Sequence, residues 1–165
     1  MRANQAEGLR SVAELASSII STEESYQPVL EQVANITNSP LVYISVVDYN
    51  SNTLLTYPRW AYGLPLDDVI IQDLTQPGYD SIPARSGRYL LSNQVNNDSN
   101  IPTAYKRTAK RLDVSKFIIV PLTVGDRQIG EIAVANRSRN YSEDDIQTFS
   151  TVAAQIAPSV ERLLL

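Results

Sequence analysis

The chain contains neither cysteine nor histidine among its 165 residues. Without cysteine it has no thiolate nucleophile, no disulfide and no soft metal ligand. Without histidine it has no imidazole to act as a general base or as a metal ligand. Most hydrolase, reductase and metalloenzyme designs are therefore excluded, and we expect a protein that is not an enzyme.

The sequence also lacks a long hydrophobic run and an excess of positive charge. Its apolar stretches are far shorter than the ~18 residues that a membrane-spanning helix requires. Fourteen Lys and Arg residues stand against 18 Asp and Glu, a net charge of −4, so the chain should not condense on phosphate backbones. We expect a soluble, cytoplasmic protein without membrane insertion or direct nucleic-acid binding.

The apolar residues that are present suffice for one core. They make up 43% of the 165 residues, and this length is typical of one domain. We therefore expect a single domain over residues 1–165.

Both ends of the chain have the periodicity of amphipathic helices. The N-terminal apolar stripe consists of Leu9, Val12, Leu15 and Ile19. It predicts a helix over residues 1–22. Near the other end, Ser142-Glu-Asp-Asp145 resembles a capping box with Asp in the Glu position. A C-terminal helix is expected over residues 142–165, with a kink or break at Pro158.

Two more helices are expected inside the chain. One has Ser25 as its N-cap and ends at Asn38-Ser39-Pro40. The other has an apolar face formed by Ile101, Tyr105, Thr108 and Leu112, and a basic face formed by Lys106, Arg107, Lys110 and Arg111. We interpret the basic face as solvated, with an anion site as the alternative.

Strand patterns fill most of the remaining chain. Residues 41–47 and 53–57 predict one hairpin, and residues 117–124 and 127–135 predict another through the turn at Gly125-Asp126. A short strand is expected at 89–91. In the second hairpin, Pro121 should lie at an edge or a bulge, because it cannot donate a ladder hydrogen bond. Gly130 should mark a bulge or a close approach of two backbones.

The segment from Pro58 to Asn100 is the least regular third of the sequence, and it contains the residues that we consider for a binding site. Aromatic rings and polar tips alternate there in a way that suits a pocket for a small molecule. Tyr43 and Ser45 share one face of their strand and would form its floor. The candidate ligand-binding residues are Tyr43, Ser45, Trp60, Tyr62, Tyr79, Arg85, Arg88, Asn93 and Tyr105. The alternative is that the rings close a small core.

The residues of the second hairpin and the last helix resemble those of GAF domains. The similarity lies in Phe117-Ile-Ile-Val-Pro121-Leu122, in Gly125 and Gly130, and in Ile132-Ala-Val-Ala-Asn136-Arg137. It continues in Tyr141-Ser-Glu-Asp-Asp145 and in Phe149 through Ala153-Ala-Gln-Ile-Ala157. Gly87-Arg88 before Tyr89-Leu-Leu also resembles the family, so the resemblance covers residues 9–164.

This resemblance implies an α+β fold, similar to that of PAS domains. A central antiparallel sheet would carry the N- and C-terminal helices on one face and irregular loops with short helices on the other. The resemblance also implies a sensory module that binds a small molecule and relays its occupancy through the terminal helices to an output domain. That output domain would belong to a signalling protein, such as a histidine kinase of a two-component system, a cyclic-dinucleotide enzyme or a regulator. A ligand-free module for dimerisation is the alternative.

Partners and cofactors follow from the same resemblance. The apolar stripes of the terminal helices predict a homodimer. The absence of cysteine and histidine argues against a covalent bilin and against the usual haem arrangement, so no cofactor is expected.

Two polar clusters have simpler explanations than a ligand site. Asn136-Arg137, Tyr141 and Asp145 partly match the order found in cyclic-nucleotide-binding GAF domains, but we interpret Arg137 and Asp145 as a tether from strand to helix. The acidic pairs Asp67-Asp68 and Asp144-Asp145 could bind a hard cation. Helix caps and turns explain them more simply, so no metal is expected.

Overall fold

The computed structural model describes residues 26–61 and 69–164, which form one six-stranded sheet with helices on both faces. The helices are α1 (Tyr26–Thr37), α2 (Pro83–Ser86), α3 (Thr103–Arg111) and α4 (Glu143–Leu164). The strands are β1 (Leu41–Asp48), β2 (Thr53–Ala61), β3 (Ile70–Asp73), β4 (Leu90–Ser92), β5 (Phe117–Val124) and β6 (Arg127–Ala135). A 3₁₀ turn spans Val95–Asn97. The predicted helix over residues 1–22 and the predicted cap at Ser25 lie outside the described residues.

The sheet is antiparallel throughout, with the strand order β3-β2-β1-β6-β5-β4. The two predicted hairpins, β1–β2 and β5–β6, are joined through the pairing of β1 with β6. Both hairpins are confirmed. Strands β1 and β6 therefore occupy the middle of the sheet, where each has a neighbour on both sides.

The two faces of the sheet carry different layers, as expected. On one face, α1 and α4 cover Ile44, Ile118 and Val134 with apolar side chains that include Val33 and Phe149. On the other face, α2, α3 and the loops between β3 and β5 cover residues such as Leu41, Phe117 and Ala133. Because strand residues alternate between faces, neighbouring residues of one strand contribute to both layers.

A bulge interrupts β6 close to its start. Leu122 pairs with Gly130 whereas Thr123 pairs with Gln128, so Ile129 is an extra residue on the β6 side. Gly130 itself lies against β1, and a Cβ atom there would be 2.1 Å from the Ser45 carbonyl oxygen. Both expectations for Gly130, a bulge and a close backbone approach, are confirmed.

Two prolines test the strand and helix predictions. Pro121 lies beyond the part of β5 that pairs with β4 and next to the bulge register shift, as predicted. Helix α4 continues through Pro158 from Glu143 to Leu164, so the helix does not break there, and the other expectation, a kink, stays a prediction. The tight packing of α4 on the sheet, with Val152, Ile156 and Val160 fully buried, holds the helix together despite the missing backbone donor. No helix in residues 26–61 or 69–164 is long and apolar enough to cross a membrane.

Candidate functional site

A row of polar side chains crosses the middle of the sheet on the α3 side. Ser45 of β1 pairs with Thr56 of β2 on one side and with Glu131 of β6 on the other. The Ser45 and Thr56 hydroxyls are hydrogen-bonded at 2.7 Å. All three residues are at most 2% exposed. Buried polar groups at the centre of an otherwise apolar sheet are costly unless they are paired, so this row is a candidate for a functional site.

Glu131 is the only ionisable residue of this row. Its Oε1 atom accepts a hydrogen bond from the Tyr105 hydroxyl at 2.5 Å and another from the Ala84 backbone N–H at 3.1 Å. Within the described part of the chain no Lys or Arg side chain forms an ion pair with it. Burial raises the pKa of Glu131 to about 7, although both hydrogen bonds act in the opposite direction. The carboxyl group therefore titrates near neutral pH.

Tyrosine hydroxyls share this buried environment. Tyr43 of β1 and Tyr105 of α3 are both at most 5% exposed. Desolvation raises the pKa of each hydroxyl, and the charge of Glu131 raises it further. Both tyrosines therefore stay protonated, and Tyr105 donates its hydroxyl proton to Glu131.

These residues surround a cavity of about 10 Å³ between the sheet and α3. Its lining residues are Tyr43, Ser45, Leu54, Thr56, Gln72, Tyr105, Thr108, Ile119 and Glu131. A space of this size holds about one water molecule. The closed cavity is therefore too small for a metabolite, and a ligand would have to open it.

Four predicted site residues come together around this space. Tyr43, Ser45 and Tyr105 line the cavity, and Tyr43 with Ser45 form its floor on β1, as the strand alternation predicts. Tyr79 lies next to it and lines a groove at the surface between β3 and α3. All four are buried, as the core interpretation of the aromatic cluster expects, and their role in ligand binding stays a prediction.

Three other predicted residues lie away from the cavity. Arg85 donates to the Leu74 carbonyl and to the Asn52 side chain, at 3.4 and 3.1 Å, and so ties α2 to two loops. Arg88 is exposed. Asn93 clamps the backbone of Tyr141 through both atoms of its amide, at 3.0 and 2.8 Å. Each of these contacts stabilises the fold and none lines the cavity.

The last two predicted residues cannot be placed. The backbone of Trp60 lies in β2 opposite Val42, but its side chain is outside the described residues. Tyr62 lies outside them altogether.

The partial nucleotide motif forms a structural tether. Arg137, which is 4% exposed, donates to both carboxylate oxygens of Asp145 at 3.0 and 2.5 Å. Its guanidinium lies 4.4 Å from the centre of the Tyr141 ring, and the Tyr141 hydroxyl is bonded to Ser39 at 2.6 Å. Asp145 also accepts the Ser142 N–H at 2.7 Å, as a capping box requires. The end of β6 is thus fixed to the start of α4.

The described residues contain no group of three or more acidic side chains that could hold a metal ion. Asp145 is engaged by Arg137, and Asp67 and Asp68 lie outside the described residues.

Sequence reasoning missed the residue at the centre of the site. Glu131 is the one charged residue between Ile129 and Ala135, a run of β6 that is buried throughout. A lone carboxyl group in a central strand was the available signal. Thr56 and Gln72 gave no such signal, because polar residues on strands usually face solvent.

The sequence profile of the GAF domain family matches residues 20–161. The chain belongs to the GAF family. No curated protein matches it significantly. GAF domains are sensory modules of signalling proteins, and this chain has their fold and their arrangement of helices on a central antiparallel sheet.

Solved structures with the same fold serve different functions. The GAF domain of an Acinetobacter phosphoenolpyruvate-protein phosphotransferase superposes with a TM-score of 0.74 at 18% identity, covering 98% of this chain and 95% of that one. A phycocyanobilin-bound GAF domain from a cyanobacterial phytochrome has a TM-score of 0.71 at 15% identity, covering 97% and 95%. Free methionine-R-sulfoxide reductase from Neisseria meningitidis has a TM-score of 0.71 at 14% identity, covering 96% and 89%. Such identities establish the fold alone, and function must be argued from the site.

Proposed function

We propose that this GAF domain binds a small molecule in the cavity around Glu131 and relays its occupancy through the sheet to α1 and α4, and from there to an output domain. The observation that carries this proposal is the buried row formed by Thr56, Ser45 and Glu131. A fully buried carboxyl group without a cationic partner lowers stability, and such groups are concentrated at functional sites.

The central strands supply the route of the relay. On β6, Glu131 faces the cavity whereas its neighbour Ile132 packs against α1 and α4. On β1, Ser45 and Val46 have the same relation. Because close-packed cores transmit small shifts, widening the cavity would displace the strand that supports α4.

The second candidate is a ligand-free module that serves dimerisation. The cavity volume of about 10 Å³ favours it, since the described residues already fill the space. In either case we propose a homodimer formed through the terminal helices, within a cytoplasmic signalling protein of the two-component or a related type. No catalytic role, bilin or haem is part of this proposal.

Native mass spectrometry of freshly purified protein separates the two candidates, because it reports bound small molecules and oligomeric state together. A sensor is expected to carry a noncovalent adduct, or to gain one from a metabolite and nucleotide screen followed by thermal unfolding. Tyr105→Phe, which removes one bond to Glu131, should reduce that gain. A dimer without an adduct, and a screen without any rise in melting temperature, would support the second candidate.

An absorption spectrum tests the cofactor proposal separately. The purified protein should be colourless above 320 nm, the region in which haem and bilins absorb. A visible band that survives denaturation would contradict it.

A further inference from the structure

A surface groove of about 270 Å³ lies directly outside the buried cavity, between β3 and α3. Gln72 of β3 and Thr108 of α3 line both spaces. Their side chains are hydrogen-bonded to each other, with the Gln72 amide as donor. This contact between two side chains therefore lies where the groove and the cavity adjoin.

The groove and the cavity carry opposite charges. Arg107 and Arg111, one helical turn apart on α3, line the groove and are exposed. Asp73 also lines it, but its carboxylate accepts the Thr75 backbone N–H at 2.9 Å and the Thr75 hydroxyl at 2.6 Å. Asp73 remains ionised, but two arginines against one carboxylate leave the groove with a net positive charge. Beyond the Gln72–Thr108 contact, the cavity presents the carboxyl group of Glu131.

Ordinary packing does not explain this arrangement. Lys110 lies outside the groove, so the interpretation of the basic face as a solvated helix surface accounts for it. Arg107 and Arg111, in contrast, line a concave space that adjoins the cavity with the buried carboxyl group of Glu131. A purely anionic ligand would meet repulsion from Glu131 in the low dielectric of the cavity. A purely cationic one would meet two arginines at the entrance.

We propose that the groove and the cavity form one two-compartment site for a bipolar metabolite. The amino group of the metabolite enters the cavity and donates to Glu131, and its carboxylate or phosphate binds Arg107 and Arg111 in the groove. The Gln72–Thr108 hydrogen bond is the gate. This inference rests on the proposed function, since it names the ligand class of the same site.

Opening the gate frees two polar side chains, and both can form new hydrogen bonds. When Gln72 and Thr108 separate, the amide and the hydroxyl both face the passage and can hydrogen-bond the body of the ligand. The groove volume of about 270 Å³ is close to that of small-metabolite sites. The ammonium group supplies the positive charge that the described surroundings of Glu131 lack, so it favours the ionised carboxylate.

A series of ω-amino acids, from 3-aminopropanoate to 8-aminooctanoate, tests the proposal as a molecular ruler. Each compound carries an ammonium and a carboxylate group at a different separation. The melting temperature should rise most at one chain length, by about 4 °C at ten times Kd. The N-acetylated acid and the simple alkylamine of that length should each bind at least tenfold more weakly, because each lacks one of the two charged ends.

Matched variants assign each end of the probe. Glu131→Gln should weaken the best ω-amino acid at least tenfold but should not weaken its alkylcarboxylate analogue, because the variant removes a repulsion of the carboxylate. Arg107→Gln with Arg111→Gln should weaken the acid but not the alkylamine. The controls are Glu31→Gln, an exposed carboxylate on α1, and Lys110→Gln, an exposed cation of α3 outside the groove. Thr108→Val removes the Gln72–Thr108 hydrogen bond and keeps nearly the same side-chain shape. It should therefore lower the ω-amino acid concentration that gives half of the maximal rise in melting temperature.

The failure of this inference differs from the failure of the proposed function. A series without an optimum length, or equal binding by Glu131→Gln and Glu31→Gln, would overturn the two-compartment site, even if native mass spectrometry finds another ligand in the protein. If neither the series nor the wider screen changes the melting temperature and the purified protein carries no adduct, the proposed function fails as well.

Discussion

The carboxyl group of Glu131 lies in surroundings that differ strongly from water. Its pKa in the folded chain is about 7, against 4.5 as the ordinary value. Between these two values the folded protein binds a proton that the unfolded chain has released. Burial of the charged form therefore lowers stability, and the loss is complete only above pH 7.

Glu131→Gln should change the pH dependence of stability in a defined window. The free energy of unfolding of the wild type should fall relative to that of the variant as the pH rises from 4.5 to 7, by about 3 kcal/mol, and the difference should be constant above pH 7. Urea titrations at each pH measure it. Glu31→Gln, on the surface, should follow the wild type, and parallel profiles for wild type and Glu131→Gln would show that the carboxyl group is not desolvated.

A second residue-scale prediction concerns Gly130. In Gly130→Ala the new Cβ atom would lie 2.1 Å from the Ser45 carbonyl oxygen, and neither central strand can retreat, so a loss of about 3 kcal/mol is expected. Gly125→Ala is the comparison, because its Cβ atom meets nothing within 4 Å and only its φ of +63° is unfavourable. It should cost about 1 kcal/mol. Equal losses in chemical denaturation would argue against the close approach of β1 and β6.

At the scale of elements, the joint between β6 and α4 depends on one ion pair. Arg137 is almost fully buried and holds both oxygens of Asp145. Burial raises the pKa of Asp145, but the hydrogen bonds from Arg137 and Ser142 outweigh it and keep the pKa below its usual value. The stability from this pair is therefore present above pH 3.8 and is lost as the pH falls through the lowered pKa.

Asp145→Asn should destabilise the domain by about 3 kcal/mol at neutral pH, because it leaves Arg137 buried without its counter-charge. The loss should shrink in acid, where the wild-type carboxylate is also neutral. Asp144→Asn is the matched control, since Asp144 is exposed and precedes Asp145 in the same helical turn. Thermal unfolding without denaturant, between pH 2.5 and 7, measures the stability of both variants. A stability difference between wild type and Asp145→Asn that does not change with pH would contradict the assignment of Arg137 and Asp145 as a buried ion pair.

Element types could be predicted wherever local pattern and tertiary environment agree. The hairpin of β5 and β6 has a turn glycine with positive φ at Gly125 and a strict strand pattern, and its limits match the prediction. Pro158 shows the opposite case. Local propensity predicts a kink or a break, but a helix with one face buried from Ile146 to Val160 continues despite one missing hydrogen bond. The edge strand β3 was also not predicted, because its apolar run is only a few residues long.

At the scale of the whole molecule, the α+β fold and its two layers were expected from the resemblance to GAF domains, but the residues that line the cavity were predicted only in part. Tyr43, Ser45 and Tyr105 were found because alternation and helical spacing fix their faces. The sequence could not show that Arg85 and Asn93 bind backbone carbonyl groups of the protein and not a ligand. Their roles depend on which backbone carbonyl lies within hydrogen-bond distance in the folded chain. Pairing partners across a sheet are tertiary information.

The terminal helices carry the prediction on assembly. Leu15→Glu or Ile19→Glu should convert a homodimer into a monomer while the sheet stays folded, because either change places a charge in the proposed contact between two copies. Light scattering with far-ultraviolet circular dichroism measures both properties. A wild-type monomer at high micromolar concentration would rule out this mode of assembly.

The extra residue at Ile129 separates two charges that plain alternation would place together. Arg127 and Glu131 are four positions apart in β6, a spacing that in an unbroken strand puts both on one face. With the bulge, Arg127 instead reaches Glu161 of α4 at 2.5 Å while Glu131 faces the cavity. The hairpin should therefore not tolerate the loss of a single residue at this point. A one-residue deletion would make the side chains at the start of β6 exchange faces. Arg127 would then leave α4 and lie on the same face of the sheet as Glu131.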